Sequence, residues 1–138
     1  MGDTFTIFPI GTISRGTETV RIDIEPRFAD GLKGIADFSH IEVYYWLDRN
    51  DSPQARGTLQ VHPKKDPDKP LTGVFATHSP LRPNLIARTV CRLDKVAGTS
   101  LYIEAIDARE GSPVIDIKGY LPESIDAGDL RLPAWLDT

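Results

Sequence analysis

Apolar and polar residues alternate with a period of two through much of this chain, and that pattern does most to limit its fold. In VRIDIE, Val20, Ile22 and Ile24 face one way while Arg21, Asp23 and Glu25 face the other, as in a half-buried strand. The run HIEVYYWLD puts Ile41, Val43, Tyr45 and Leu47 on one face. Glu42, Tyr44, Trp46 and Asp48 take the opposite face, which has the character of a partner or ligand surface. In LYIEAIDA, Leu101, Ile103 and Ala105 alternate with Tyr102, Glu104 and Ile106. Two further strands are expected over Phe5–Ile13 and Ile86–Val96, both rich in β-branched residues. Helical turns are expected only around Asp30–Asp37 (DGLKGIAD) and in the tail after Pro122. The fold class is therefore mainly β. Closing five or six strands into a small barrel is the economical way to remove sheet edges.

With 138 residues, 40% of them hydrophobic and 26% charged, the chain can build one packed core. A single domain over residues 1–138, with one or two short helices and no C-terminal extension domain, is the expectation. The net charge of -4 argues against indiscriminate nucleic-acid binding. The charge is uneven, however: residues 1–48 carry a net -4, residues 49–92 a net +5 and residues 93–138 a net -5. The lone Cys91 excludes an intramolecular disulfide and a cysteine-only zinc site. His40, His62 and His78 are too dispersed to suggest a metal site. The opening residues MGDTFTIFPIG do not read as a signal peptide. No run approaches the ~20 apolar residues that span a bilayer. A cytoplasmic protein without a membrane partner is the expectation.

Between Asn50 and Pro70 the pattern breaks. Four prolines (Pro53, Pro63, Pro67, Pro70) and three lysines (Lys64, Lys65, Lys69) surround a short strand at Thr58–Val61, which reads as a long mobile Pro/Lys-rich loop. Glycine-rich phosphate loops, HExxH and the nucleophile elbow are absent from the sequence. Two stretches stand out instead. GVFATHSPLRPN (73–84) carries Thr77, His78, Ser79, Arg82 and Asn84 on a backbone stiffened by Pro80 and Pro83, which suits a preorganised site. DAREGSPVIDIKGYLP (107–122) holds a Glu110–Pro113 turn, followed by Asp116, Lys118 and Tyr120 on one face of a strand, a set able to do acid–base or binding work. From the residue types alone, a self-satisfied surface turn and an ordinary strand edge explain the two stretches as well or better.

Four motifs in order, IGTI, GLKGIADFSHIEVYYWL, GVFATHSPLRPN and GSPVIDIKGYLP, change that balance. Over roughly Phe8–Pro122 the chain resembles the TsaA-like family, the TrmO-type (YaeB-like) S-adenosylmethionine-dependent tRNA methyltransferases. The resemblance implies a β-barrel methyltransferase, acting as a homodimer, that methylates N6 of threonylcarbamoyladenosine in tRNA. It implies cofactor contacts at Asp48, Arg49, His78, Arg88, Glu110, Gly111, Ser112 and Pro113. An anionic part of the substrate would fall to Arg82 and Lys118, with Asn84 and Tyr120 beside them, and Asp116 would be the base. The chain departs from the family pattern at His78 (for Arg), Leu85 (for Pro), Ala87 (for Gly), Gly119 (for Pro) and Asp48-Arg49 (for His-Gln). Two other functions fit the same residues: a non-catalytic S-adenosylmethionine-binding module, and a methyltransferase acting on a small molecule.

Overall fold

Strands form where side chains of alternating runs share an interior. The computed structural model describes residues 2–136 and divides the chain into two compact units. The first comprises Met1–Arg49 and Ile86–Tyr120, the second Asn50–Leu85 and Leu121–Thr138.

The first unit is a closed barrel. Its strands are β1 (Gly11–Arg15), β2 (Val20–Ile24), β3 (His40–Trp46), β6 (Ile86–Ala97), β7 (Ser100–Ile103) and β8 (Pro113–Gly119); β4 (Gln60–Val61) and β5 (Thr72–Gly73) belong to the second unit. Around the barrel the order is β1-β2-β7-β6-β3-β8, and every neighbouring pair is antiparallel. The register sets Ile13 opposite Ile22, Ile22 opposite Leu101, and Ile41 opposite Cys91. These side chains, with Val43 and Val114, are fully or almost fully buried. At ~25 cal/mol per Å² of apolar surface removed from water, such an interior is the main source of the barrel's stability. Burial also pushes the Cys91 thiol up to about 11 and raises the Tyr45 hydroxyl, the latter tempered by its bond to Thr89. Gly11 is required by crowding: a Cβ there would lie 2.5 Å from the Asp23 carbonyl oxygen on β2.

Several expectations are corrected. The first strand begins at Gly11, and Phe5, Ile7 and Phe8 ahead of it are exposed. Pro9 removes a ladder donor there, while Phe8 stacks on Phe28 at 6.0 Å. The turn expected over Asp30–Asp37 is two 3-10 turns, Pro26–Leu32 and Ile35–Asp37, the first starting early because Pro26 occupies its opening position. Alternation after β7 inverts: Ala105 is exposed and Ile106 is buried. The helical turn expected in the tail after Pro122 is a 3-10 turn at Ala127–Asp129, capped by the Asp126 carboxylate; Asp137 and Thr138 lie outside the described residues.

In the second unit, the segment read as a long loop holds regular structure. Helix α1 (Pro53–Gly57) is capped by Ser52, whose Oγ accepts the Ala55 N–H at 3.1 Å. β4 and β5 pair, Gln60 opposite Gly73 and Val61 opposite Thr72. Between them a 3-10 turn, Pro63–Lys65, sits on buried Pro63, and His62 Nδ1 lies 2.8 Å from the Lys69 carbonyl oxygen. Ala55, Val74 and Leu85 are buried.

Candidate functional site

The expected site residues fall into three groups, two on the barrel and one in the second unit. The first group surrounds the turn before β8. Gly111 adopts a left-handed backbone (φ 81), which favours glycine. Its N–H donates to the Ile13 carbonyl at 2.9 Å, and the Ile13 N–H donates to the Ser112 carbonyl at 3.0 Å. Arg15 fastens the preceding loop. Its backbone N–H donates to Glu110 Oε2, its Nε to the Ala108 carbonyl at 2.7 Å and its Nη2 to the Ile106 carbonyl. From the end of β3, Arg49 Nη2 reaches the Glu110 carbonyl at 3.2 Å. Arg49 and Glu110, expected to act together, are thus brought together. Asp48 and Gly111 are exposed and Pro113 is half-buried, but Ser112 is only 5% exposed. Ser112 therefore supports the turn from inside, and the surface the turn offers is that of Glu110 and Gly111.

The second group lies on the outer face where β8, β3 and β6 run side by side. Glu42 is opposite Lys118 on one flank, and Tyr44 is opposite Asp116 on that flank and Arg88 on the other. Arg88 donates to Glu42 Oε1 from Nε at 2.8 Å and Nη2 at 2.7 Å, and the Tyr44 hydroxyl donates to the same oxygen at 3.3 Å. The bond to Glu42 raises the Arg88 guanidinium above its usual value. Lys118 Nζ stands 5.8 Å from the Tyr44 ring centre. Asp116 is exposed, and its Oδ1 accepts the Ile117 N–H at 2.9 Å. Tyr120, just past β8, donates its N–H to the His40 carbonyl at 3.1 Å. The face mixes an ammonium, a guanidinium, a phenol and two carboxylates, a composition for holding a zwitterionic or hydrogen-bonding ligand.

The third group is the loop after β5. Thr77 Oγ1 donates to the Val74 carbonyl at 2.9 Å and accepts the Ser79 N–H at 3.1 Å; Ser79 Oγ accepts the Leu81 N–H at 3.1 Å. Arg82 Nη1 donates to the Thr77 and Ser79 carbonyls at 3.2 and 3.0 Å. Arg82, expected to hold an anionic substrate, spends part of its donor set on its own loop. His78 and Asn84 are exposed on that braced backbone.

Three residues that shape these groups escaped the sequence reading. Arg15 is 91–95 residues from the groups it binds, and no local pattern signals such a contact. Glu42 was assigned to the outer face without a partner. Phe38 packs against Gly119: a Cβ on residue 119 would come 2.6 Å from its ring.

Comparison with known proteins gives a consistent result. The family model described as tRNA-methyltransferase O N-terminal domain matches residues 6–127. A probable S-adenosyl-L-methionine-binding protein of Pyrococcus horikoshii is 44% identical over 124 residues, covering 90% of this chain and 88% of its own length. The human tRNA (adenine(37)-N6)-methyltransferase is 36% identical over 114 residues, covering 83% of this chain and 25% of its own. A crystal structure of TrmO from Pseudomonas aeruginosa superposes with a TM-score of 0.71 at 24% identity and shares the fold; 98% of this chain covers 64% of that one. The chain thus spans less than two thirds of that structure and a quarter of the human protein.

Proposed function

This chain belongs to the family of tRNA-methyltransferase O N-terminal domains, and from that premise we propose that it is an S-adenosylmethionine-dependent methyltransferase acting on N6 of a modified adenosine in tRNA. The observation that carries the reading is the match over residues 6–127, which takes in all four sequence motifs. The near-full-length relative named for S-adenosylmethionine binding supports the cofactor, and the human relative named for tRNA adenine methylation supports the substrate.

The residues present fit such a cofactor. Glu110, on a turn fastened from both sides, offers a carboxylate for an ammonium or ribose hydroxyls, and Arg88 offers a guanidinium for a carboxylate. When bound, S-adenosylmethionine supplies an electrophilic methyl group. The chain's own task is alignment of the accepting nitrogen and removal of one proton. Asp116, exposed beside Lys118, is the residue we assign to that proton, while Lys118 meets an anionic part of the substrate. The acting form is a homodimer, a reading supported by the aromatic outer positions Tyr44 and Trp46.

Incubation with methyl-labelled S-adenosylmethionine and tRNA, followed by nucleoside analysis, tests the reading. Label in an N6-methylated adenosine derivative is the expected result. Cofactor binding by calorimetry without transfer to tRNA would replace it with the binding-module reading. Transfer to free threonylcarbamoyladenosine but not to tRNA would replace it with a small-molecule methyltransferase.

A further inference from the structure

Glu42 is an odd residue for the outside of a barrel strand: its side chain is only 17% exposed. A carboxylate so far withdrawn from water needs partners, and a single oxygen gathers them. Glu42 Oε1 accepts Arg88 Nε at 2.8 Å, Arg88 Nη2 at 2.7 Å and the Tyr44 hydroxyl at 3.3 Å. Both neighbours are fixed by strand register, Tyr44 standing opposite Arg88 across the β3–β6 ladder. The arrangement is a side-on grip: Glu42 occupies the Nε–Nη2 edge of the guanidinium.

Arg88 needs such a grip. Its side chain is 48% exposed, and a long arginine left unheld in that setting has rotamer freedom to lose on meeting a ligand. Two of its five N–H donors are spent on Glu42, and the guanidinium still has donors for another acceptor.

We propose that Glu42 is a positioning residue for the cofactor site: it holds Arg88 in the orientation in which Arg88 receives the carboxylate of S-adenosylmethionine. The inference rests on the function proposed above and adds to it a residue outside the expected set. Glu42 itself does not touch the cofactor. Its negative charge sets the angle of Arg88 and reduces the ordering that binding would otherwise demand.

The test is a double-mutant cycle read by calorimetric titration of the 138-residue chain with S-adenosylmethionine. Glu42→Ala is expected to raise Kd about tenfold, and Arg88→Ala at least as much. The double variant is expected to bind no worse than Arg88→Ala alone, because Glu42 acts only through Arg88. Glu42→Gln, which keeps an oxygen acceptor, is expected to recover part of the loss, and it keeps the test decisive if the alanine variant folds poorly. In turnover assays the Glu42 variants should show a raised KM for S-adenosylmethionine with kcat largely kept, a split that mere loss of stability does not produce. Wild-type affinity in both Glu42 variants, or effects of Glu42→Ala and Arg88→Ala that multiply in full, would overturn the proposal while leaving the methyltransferase reading intact. A wild-type chain that fails to bind S-adenosylmethionine overturns both.

Discussion

The barrel and the 73–84 loop are held by different forces. In the barrel, Ile13, Ile22, Ile41 and Leu101 are all 0% exposed, and burial of apolar surface does the work. In the loop, the local fastenings are polar: Thr77, Ser79 and Arg82 bond to main-chain groups within six residues of one another. Each such bond contributes only ~1 kcal/mol net, so the loop is a shape specified by geometry, whereas the barrel is specified by volume. A site can tolerate changes of chemistry on the first kind of support only where the bracing residues stay. In this chain they have stayed, while His78 and Leu85 have departed from the family pattern.

The contrast can be broken from the barrel side first. Ile22→Ala should open a cavity at a fully buried site and cost ~2–5 kcal/mol, measured as a lowered denaturation midpoint with unchanged denaturant slope. Gly11→Ala should follow. Its new methyl would meet the Asp23 main-chain carbonyl at 2.5 Å, and the backbone shift should cost ~1–3 kcal/mol by the same measurement. On the loop side, Thr77→Val removes a hydroxyl that both donates and accepts. Its expected effect is ~1–2 kcal/mol, confined to the loop. The barrel's denaturation midpoint should stay put while methyl transfer falls and the Ser79 amide exchanges faster. A midpoint shift as large as that of Ile22→Ala would show the two supports to be one.

The remaining effect appears only in alkali. Burial raises the Cys91 thiol from 9.0 to about 11, so the folded chain keeps a proton that the unfolded chain releases. Stability from this source is complete below pH 9 and is lost as pH rises through about 11. Tyr45, raised by burial in the same direction, adds to the loss above its ordinary 10.0. Unfolding curves measured across this range should flatten in Cys91→Ala, which keeps only the Tyr45 contribution.

What could be read from the sequence follows the same division. Alternation located β2, β3 and β7, because a period of two survives wherever one face is wet and the other dry, whereas β6 was placed by its β-branched residues. The strand expected from β-branched content over Phe5–Ile13 begins only at Gly11, and Phe5, Ile7 and Phe8 ahead of it are exposed. Helix α1 was missed although Ser52-Pro53 carries a cap and first-turn signal, because the surrounding prolines suggested a loop. The resemblance put Arg49 and Glu110 in one expected cofactor set, and the contact between them came only from the structure. The Arg15 and Glu42 contacts were invisible because they depend on register and closure, which couple residues far apart in sequence.

Closure carries one more consequence. The hoop of strands is fastened at β1 and β8 by two paired positions, Gly11 with Val114 and Thr12 with Pro113, against seven between β3 and β6. The Glu110–Ser112 turn sits at that clasp, tied to Ile13 and Arg15. A ligand gripping the turn would therefore also hold the hoop shut, and the same ligand would be released whenever the clasp springs open.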